Sequence, residues 1–346
     1  MTTPDWFVFR GTGEPHDGVD RLPEPPPWRD FDGSPVVSGP PSLGAESTRR
    51  LGSEAAMGSA GLAWRPAELE MINAALYLRR PLLVTGEPGS GKSTLAHALA
   101  HELGLGRVLH WPVVSRTTLR EGLYSYDAIA RLQDMQLARE GGEDHTRDIG
   151  RYLRLGPLGT ALLPYDKPRV LLVDELDKSD IDLPNDLLNA LEEGEFTIPE
   201  LQRLQAVQEA VEVDTDDDTQ AEVTKGKIRC RAFPVVVMTS NGERDFPVPL
   251  LRRCLRLELS SPKDDEWGTG RLRSMVRAHF GEDDAEANDT LIRQFLQSRP
   301  GALRTADQLL NAIYLTQETV PGNESDRQRL AEMLMRPLDH GEPGPN

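Results

Sequence analysis

Between the apolar run Pro81-Leu82-Leu83-Val84-Thr85 and the helix-forming run Ser93-Thr94-Leu95-Ala96-His97-Ala98-Leu99-Ala100, the chain reads Gly86-Glu87-Pro88-Gly89-Ser90-Gly91-Lys92-Ser93. Every fixed position of G-x-x-x-x-G-K-[ST] is filled, and it is filled at a strand-to-helix junction, the context in which the pattern has a mechanism. Glycines let backbone N–H groups turn inward around phosphate oxygens, and the helix that follows adds the positive end of its dipole. Lys92 reaches the outer phosphates of such a ligand and the Ser93 hydroxyl is placed to ligate Mg²⁺. The loop requires a buried strand ahead of it, so the chain is expected to build a sheet whose carboxyl edge carries the site.

The rest of the chain supplies that sheet. Apolar strand candidates run from Arg107 to Val114, Arg169 to Val173, Pro234 to Thr239 and Leu255 to Leu259, separated by helical stretches such as Leu183 to Glu193. Strands alternating with helices imply a mostly parallel α/β sheet. Val170-Leu171-Leu172-Val173 ends in Asp174-Glu175, which puts two carboxylates at the same sheet edge as the phosphate loop. Asp174 is expected to hold Mg²⁺, directly or through water, and Glu175 to orient and deprotonate an attacking water. Asp177, Asp180 and Asp182 read as a solvated turn and cap and stay outside the catalytic set. A second apolar strand, Val235-Val236-Val237-Met238, ends in Thr239-Ser240-Asn241.

Composition limits the partners. With 39 basic against 56 acidic residues the net charge is −17, against a sequence-independent grip on nucleic-acid phosphates. No apolar run approaches the roughly 20 residues of a membrane span. The start lacks a signal-peptide pattern and only Cys230 and Cys254 occur, so a reducing cytosol is the expected compartment. His97 and His101 are four apart without the Glu of a zinc-protease motif and read as ordinary helix positions.

Residues 1–60 are rich in Pro, Gly and Ser without a helical or strand period and are expected to be a disordered arm. Its aromatics, Trp6, Phe7, Phe9, Trp28 and Phe31, fit either a tail folded loosely over its own domain or a docking peptide. Two segments interrupt the α/β alternation: residues 118–163, and residues 202–227, acidic around Asp214-Thr215-Asp216-Asp217-Asp218, which read as a hairpin. After Ser261 only helical spacing remains, predicting an α-helical domain over 263–336 and a disordered tail at 337–346.

Together, Gly86 to Ser93, Val170 to Glu175 and Asn241 resemble the Walker A, Walker B and sensor 1 elements of AAA+ ATPases. More narrowly, Gly156-Pro157-Leu158 ahead of Asp174-Glu175-Leu176-Asp177-Lys178, then Asn185-Asp186-Leu187-Leu188 and Leu191-Glu192-Glu193, resembles the MoxR-like branch. The resemblance covers about 63–335. It implies a P-loop NTPase three-layer αβα sandwich over 61–262, with the branch's helix-2 insert at 118–163 and a pre-sensor-1 hairpin at 202–227, followed by an α-helical lid. ATP and Mg²⁺ are the implied ligands. The nucleotide-binding set is Gly86, Glu87, Pro88, Gly89, Ser90, Gly91, Lys92, Ser93 and Thr94. Arg304, in Gly301-Ala302-Leu303-Arg304, is similar to sensor 2. In Leu250-Leu251-Arg252-Arg253-Cys254, Arg253 matches the arginine finger, with Arg252 the close alternative.

Family membership implies a ring-forming, usually hexameric, ATPase that remodels or activates a protein client. Two other readings stand beside it: a nucleotide-gated scaffold or switch with little turnover, and a DNA-directed AAA+ motor, which the net charge disfavours.

Overall fold

The computed structural model describes residues 4–37, 45–56, 62–139, 148–263, 265–297, 305–316 and 324–335. Eleven strands occur among them: β1 (Leu82–Thr85), β2 (Leu109–Pro112), β3 (Tyr124–Tyr126), β4 (Leu153–Leu155), β5 (Val170–Asp174), β6 (Glu195–Thr197), β7 (Ala210–Asp214), β8 (Gln220–Thr224), β9 (Lys227–Arg229), β10 (Val235–Ser240) and β11 (Leu255–Glu258).

The five apolar runs expected as strands form one parallel sheet in the order β11-β1-β10-β5-β2. Their side chains are buried on both faces, Val170, Leu171, Leu172 and Val173 completely, as a parallel sheet covered by helices requires. One face packs on the helices Pro66–Leu78 and Lys92–Glu102 through Ile72, Leu76, Leu95 and Leu99. The other packs on the helices Pro157–Ala161 and Asp182–Glu193 through Leu158, Leu162, Leu183 and Leu187. The chain is an α/β three-layer sandwich of the P-loop type.

A second sheet, in the order β3-β4-β7-β8-β9-β6, gathers the two segments that interrupt the alternation. The β7–β8 pair is an antiparallel hairpin, and β4 joins it in parallel at Arg154 and Asp214. The acidic turn of this hairpin is pinned by arginines. Asp218 meets Arg154 at 2.6 Å and Arg107 at 3.5 Å, and Asp217 makes a fully buried 2.7 Å pair with Arg169 just ahead of β5. Tyr165, Thr215 and the carbonyl of Arg107 take up further groups of that pair. Arg169→Met therefore strands a buried carboxylate, and the expected loss is about 3–5 kcal/mol of stability. Urea unfolding checks it; a loss below about 1 kcal/mol would mean that water reaches Asp217.

Beyond β11 the helices Glu266–Phe280, Glu282–Ala287, Asp289–Leu296, Ala306–Thr316 and Glu324–Leu334 share their own core of Leu272, Val276, Ile292, Leu309 and Ile313. Residues 337–346, expected as a tail, lie outside the described residues.

The expectation of a disordered arm over 1–60 is corrected for 4–37 and 45–56. Val8 and Phe9 are buried in the core of the main sheet's first face, and Phe7 is buried beside Trp6. Two buried polar side chains hold the backbone there. Asn73 accepts from the N–H groups of Val8 and Phe9 at 2.7 and 2.9 Å and donates to the Phe9 carbonyl. Glu102 accepts from the N–H groups of Arg10, Gly11 and Gly13. Composition reads such a segment as disordered because it lacks a period; here a few aromatic anchors and side-chain-to-backbone bonds replace regular structure. Among the described residues no helix is long and apolar enough to cross a membrane.

Candidate functional site

The phosphate loop links β1 to the helix Lys92–Glu102, at the carboxyl edge of the sheet. Gly86, Gly89 and Gly91 all have positive φ. At Gly86 (φ +152°) a Cβ would stand 2.3 Å from the Leu259 carbonyl oxygen, so no other residue fits without moving β11's end. Lys92 is buried, and its ammonium donates to the loop's own carbonyls, Gly86 at 2.7 Å and Glu87 at 2.8 Å. Burial lowers its pKa, against the pull of Asp177, Asp174, Glu175 and Glu87.

Asp174 ends β5 and faces the start of that helix, where the Ser93 hydroxyl donates to Oδ1 at 2.7 Å. Two residues that the sequence did not single out complete its surroundings. Thr239 donates to the same oxygen at 2.6 Å, and His110 of β2 lies 3.3 Å from Oδ2. Burial alone would raise the Asp174 pKa; the hydrogen bonds from His110, Thr239 and Ser93 outweigh it and hold the carboxyl well below its usual range. The ladder brings Thr239 there: Met238 is level with Val173, so the next residues of β10 and β5 lie side by side.

Glu175 is in the left-handed region at φ +61°, a conformation that costs a non-glycine residue about 1–2 kcal/mol. Its N–H donates to Thr239 Oγ1 at 2.8 Å, and Lys178 reaches its carboxylate at 2.6 Å. Asp177, expected in a solvated turn, is instead buried. Its Oδ2 accepts from the N–H groups of Asn241 and Glu243 at 2.9 and 3.1 Å and so holds the loop that follows β10.

Lys92, Ser93, Thr94, Asp174, Glu175, Thr239 and Asn241 line one cleft of about 370 Å³, with Pro88, Gly89 and Gly91. Met275, His279 and Asp307 of the helical domain form its opposite wall. A further link was not legible: buried Arg271 of that domain donates to the Ser90 carbonyl at 2.9 Å and pairs with Glu68, between the rings of Trp64 and Trp267. Neither Arg252 nor Arg253 lines the cleft of its own chain. The Arg253 guanidinium bonds to Glu192, and the carbonyls of Arg252 and Arg253 accept from Arg80. Arg304 lies outside the described residues.

The donor set suits a small hard cation, since a hydroxyl and an ionised carboxylate 2.7 Å apart are the oxygen ligands Mg²⁺ takes, with its remaining positions open to water and phosphate.

No curated protein matches the chain. Among solved structures, NtrX from Brucella abortus in complex with ADP aligns with 12% identity and a TM-score of 0.40 over 76% of this chain and 53% of its own. The chain thus spans about half the length of NtrX. A RuvB mutant from Thermotoga maritima aligns with 16% identity and a TM-score of 0.40, over 77% of this chain and 68% of its own. The sequence profile of the AAA domain, dynein-related subfamily, matches residues 81–254, half of the chain, and spans β1, the phosphate loop, the Asp174-Glu175 edge and Asn241. The chain belongs to the AAA domain family, dynein-related subfamily.

Proposed function

We propose that the protein is a Mg²⁺-dependent ATPase of the MoxR-like type, active as a ring, that remodels or activates a protein client in the cytosol. The observation that carries the reading is the single cleft lined by Lys92, Ser93, Asp174, Glu175 and Asn241 together. Backbone N–H groups of Gly89, Gly91, Lys92 and Ser93 would cradle the phosphates, and Lys92 would exchange its loop carbonyls for phosphate oxygens. Ser93 and Asp174 would hold Mg²⁺, which supplies charge neutralisation on the phosphates when bound. Glu175 takes the proton of the attacking water, and Asn241 orients that water. Arg253 would serve a neighbouring subunit, since it stands outside its own cleft; its bond to Glu192 would then be exchanged for the neighbour's phosphate. The MoxR-like assignment rests on Gly156-Pro157-Leu158 and the run from Asp174 to Lys178.

Nucleotide titration of Lys92→Ala tests the site. The variant is expected to bind ATP at least about tenfold more weakly, having lost a charge-assisted contact to the most anionic part of the ligand. Unchanged affinity would remove the phosphate loop from the reading. A scaffold with little turnover would bind ATP equally well and release no phosphate above background.

A further inference from the structure

Residues 45–56 run from the main sheet's helices to the helical domain along the rim of the cleft. The helix Ala45–Leu51 lies against the helix Lys92–Glu102. Buried Ser47 shares a 2.9 Å hydrogen bond with His97 Nδ1, on an imidazole that burial holds neutral by pushing its pKa down to about 4. Glu46 is 3.4 Å from His110 Nδ1, and the other nitrogen of that ring is the one beside Asp174. At the far end, Leu51 and Ala55 are buried against Ala278 of the helix Glu266–Phe280, and Ser53 donates to the His279 carbonyl at 3.5 Å. Gly52 makes that contact close. Its φ is +96°, and a Cβ on it would stand 2.2 Å from the Ala278 carbonyl oxygen.

Between these two anchorages Arg50 lines the cleft with Lys92, Ser93, Asp174 and Glu175. Its side chain is 38% exposed, and the carboxylate paired with it, Glu46, is 4.0 Å away, at the outer limit of an ion pair. Glu46 is also drawn to His110, so Arg50 is weakly neutralised although its helix is fixed at both ends. A guanidinium held in that way presents a planar fork suited to phosphate oxygens.

We infer that Arg50 is a phosphate-binding residue supplied to the nucleotide cleft by the N-terminal segment, and that the Gly52 contact ties its position to the helical domain. This rests on the reading of the cleft as an ATP site. Arg50 adds a second fixed cation to Lys92, carried by a different part of the chain. Because the strap touches the helical domain, displacing that domain withdraws Arg50 from the nucleotide.

ATP and ADP titrations of the full-length protein test it. Arg50→Ala is expected to weaken ATP binding about tenfold with the thermal transition of the nucleotide-free protein unchanged; Arg50→Lys is expected to recover part of the loss, and Arg50→Glu to deepen it. Gly52→Val, which keeps the Arg50 side chain but forces the strap that positions it off Ala278, is expected to weaken ATP binding in the same direction and to speed hydrogen exchange over residues 45–56. Binding by Arg50→Ala within about twofold of the unaltered chain overturns the inference while leaving the ATP site standing. If the unaltered chain binds no ATP, the functional reading and this inference fall together, and Lys92→Ala measured alongside distinguishes the two cases.

Discussion

Glu175→Gln is expected to lower ATP turnover by about 10²- to 10⁴-fold while ATP affinity stays near that of the unaltered protein, because the amide keeps the shape of the side chain and cannot take a proton. The backbone supports the substitution. Glu175 is left-handed and its N–H donates to the Thr239 hydroxyl, a backbone bond that the change leaves alone. Phosphate release and a nucleotide titration measured side by side read the two quantities separately, and turnover retained within a few-fold would dismiss Glu175 as the base. The same variant tests assembly. An arginine finger contributes about 10³–10⁵ in rate where it acts. Arg253→Ala is therefore expected to bind ATP and turn over almost none. Mixing it with Glu175→Gln is expected to restore part of the activity, since one interface then joins an intact Glu175 to an intact Arg253. No recovery under conditions of subunit exchange would mean that the finger acts within its own chain or that Arg252 carries the role.

Removing the first sixteen residues is expected to abolish cooperative unfolding of the nucleotide-binding domain. Phe9 is fully buried, and Phe9→Ala alone is expected to cost about 3–5 kcal/mol. The truncation also strips the Asn73 amide oxygen and the Glu102 carboxylate of the backbone N–H groups they hold, although Asn73 keeps its bond to the Leu69 carbonyl. Those losses together approach the whole stability of a domain, about 5–15 kcal/mol. Calorimetry of the truncated chain checks it. A transition within a few degrees of the full chain would return the segment to the role of a dispensable tail, and a docking role would then have to be tested for it separately.

The parallel sheet and the polar edge that lines the cleft are legible in the chain because both depend on local order. An apolar run buried on two faces declares itself by composition, as Val170 to Val173 does, and the polar residues that end it, Asp174-Glu175 and Thr239-Ser240-Asn241, must lie at one edge once the strands are parallel. The phosphate loop was legible for the same reason, its glycines and Lys92 being neighbours in sequence. Contacts between distant residues left no such trace. Thr239 and His110 bind Asp174 because β10 and β2 flank β5, and strand order is a property of the sheet rather than of any segment. Asp177 looked like a solvated turn residue because nothing near it in sequence shows that Asn241 and Glu243 offer it their N–H groups. The N-terminal segment misled for a related reason: it lacks a period because its burial rests on Asn73 and Glu102, more than sixty and eighty residues away. The pairing of β4 with β7, which merges two separate interruptions of the chain into one sheet, and the strap that carries Arg50 to the cleft were likewise decided by tertiary structure, where packing between remote elements outweighs the local preferences that a sequence displays.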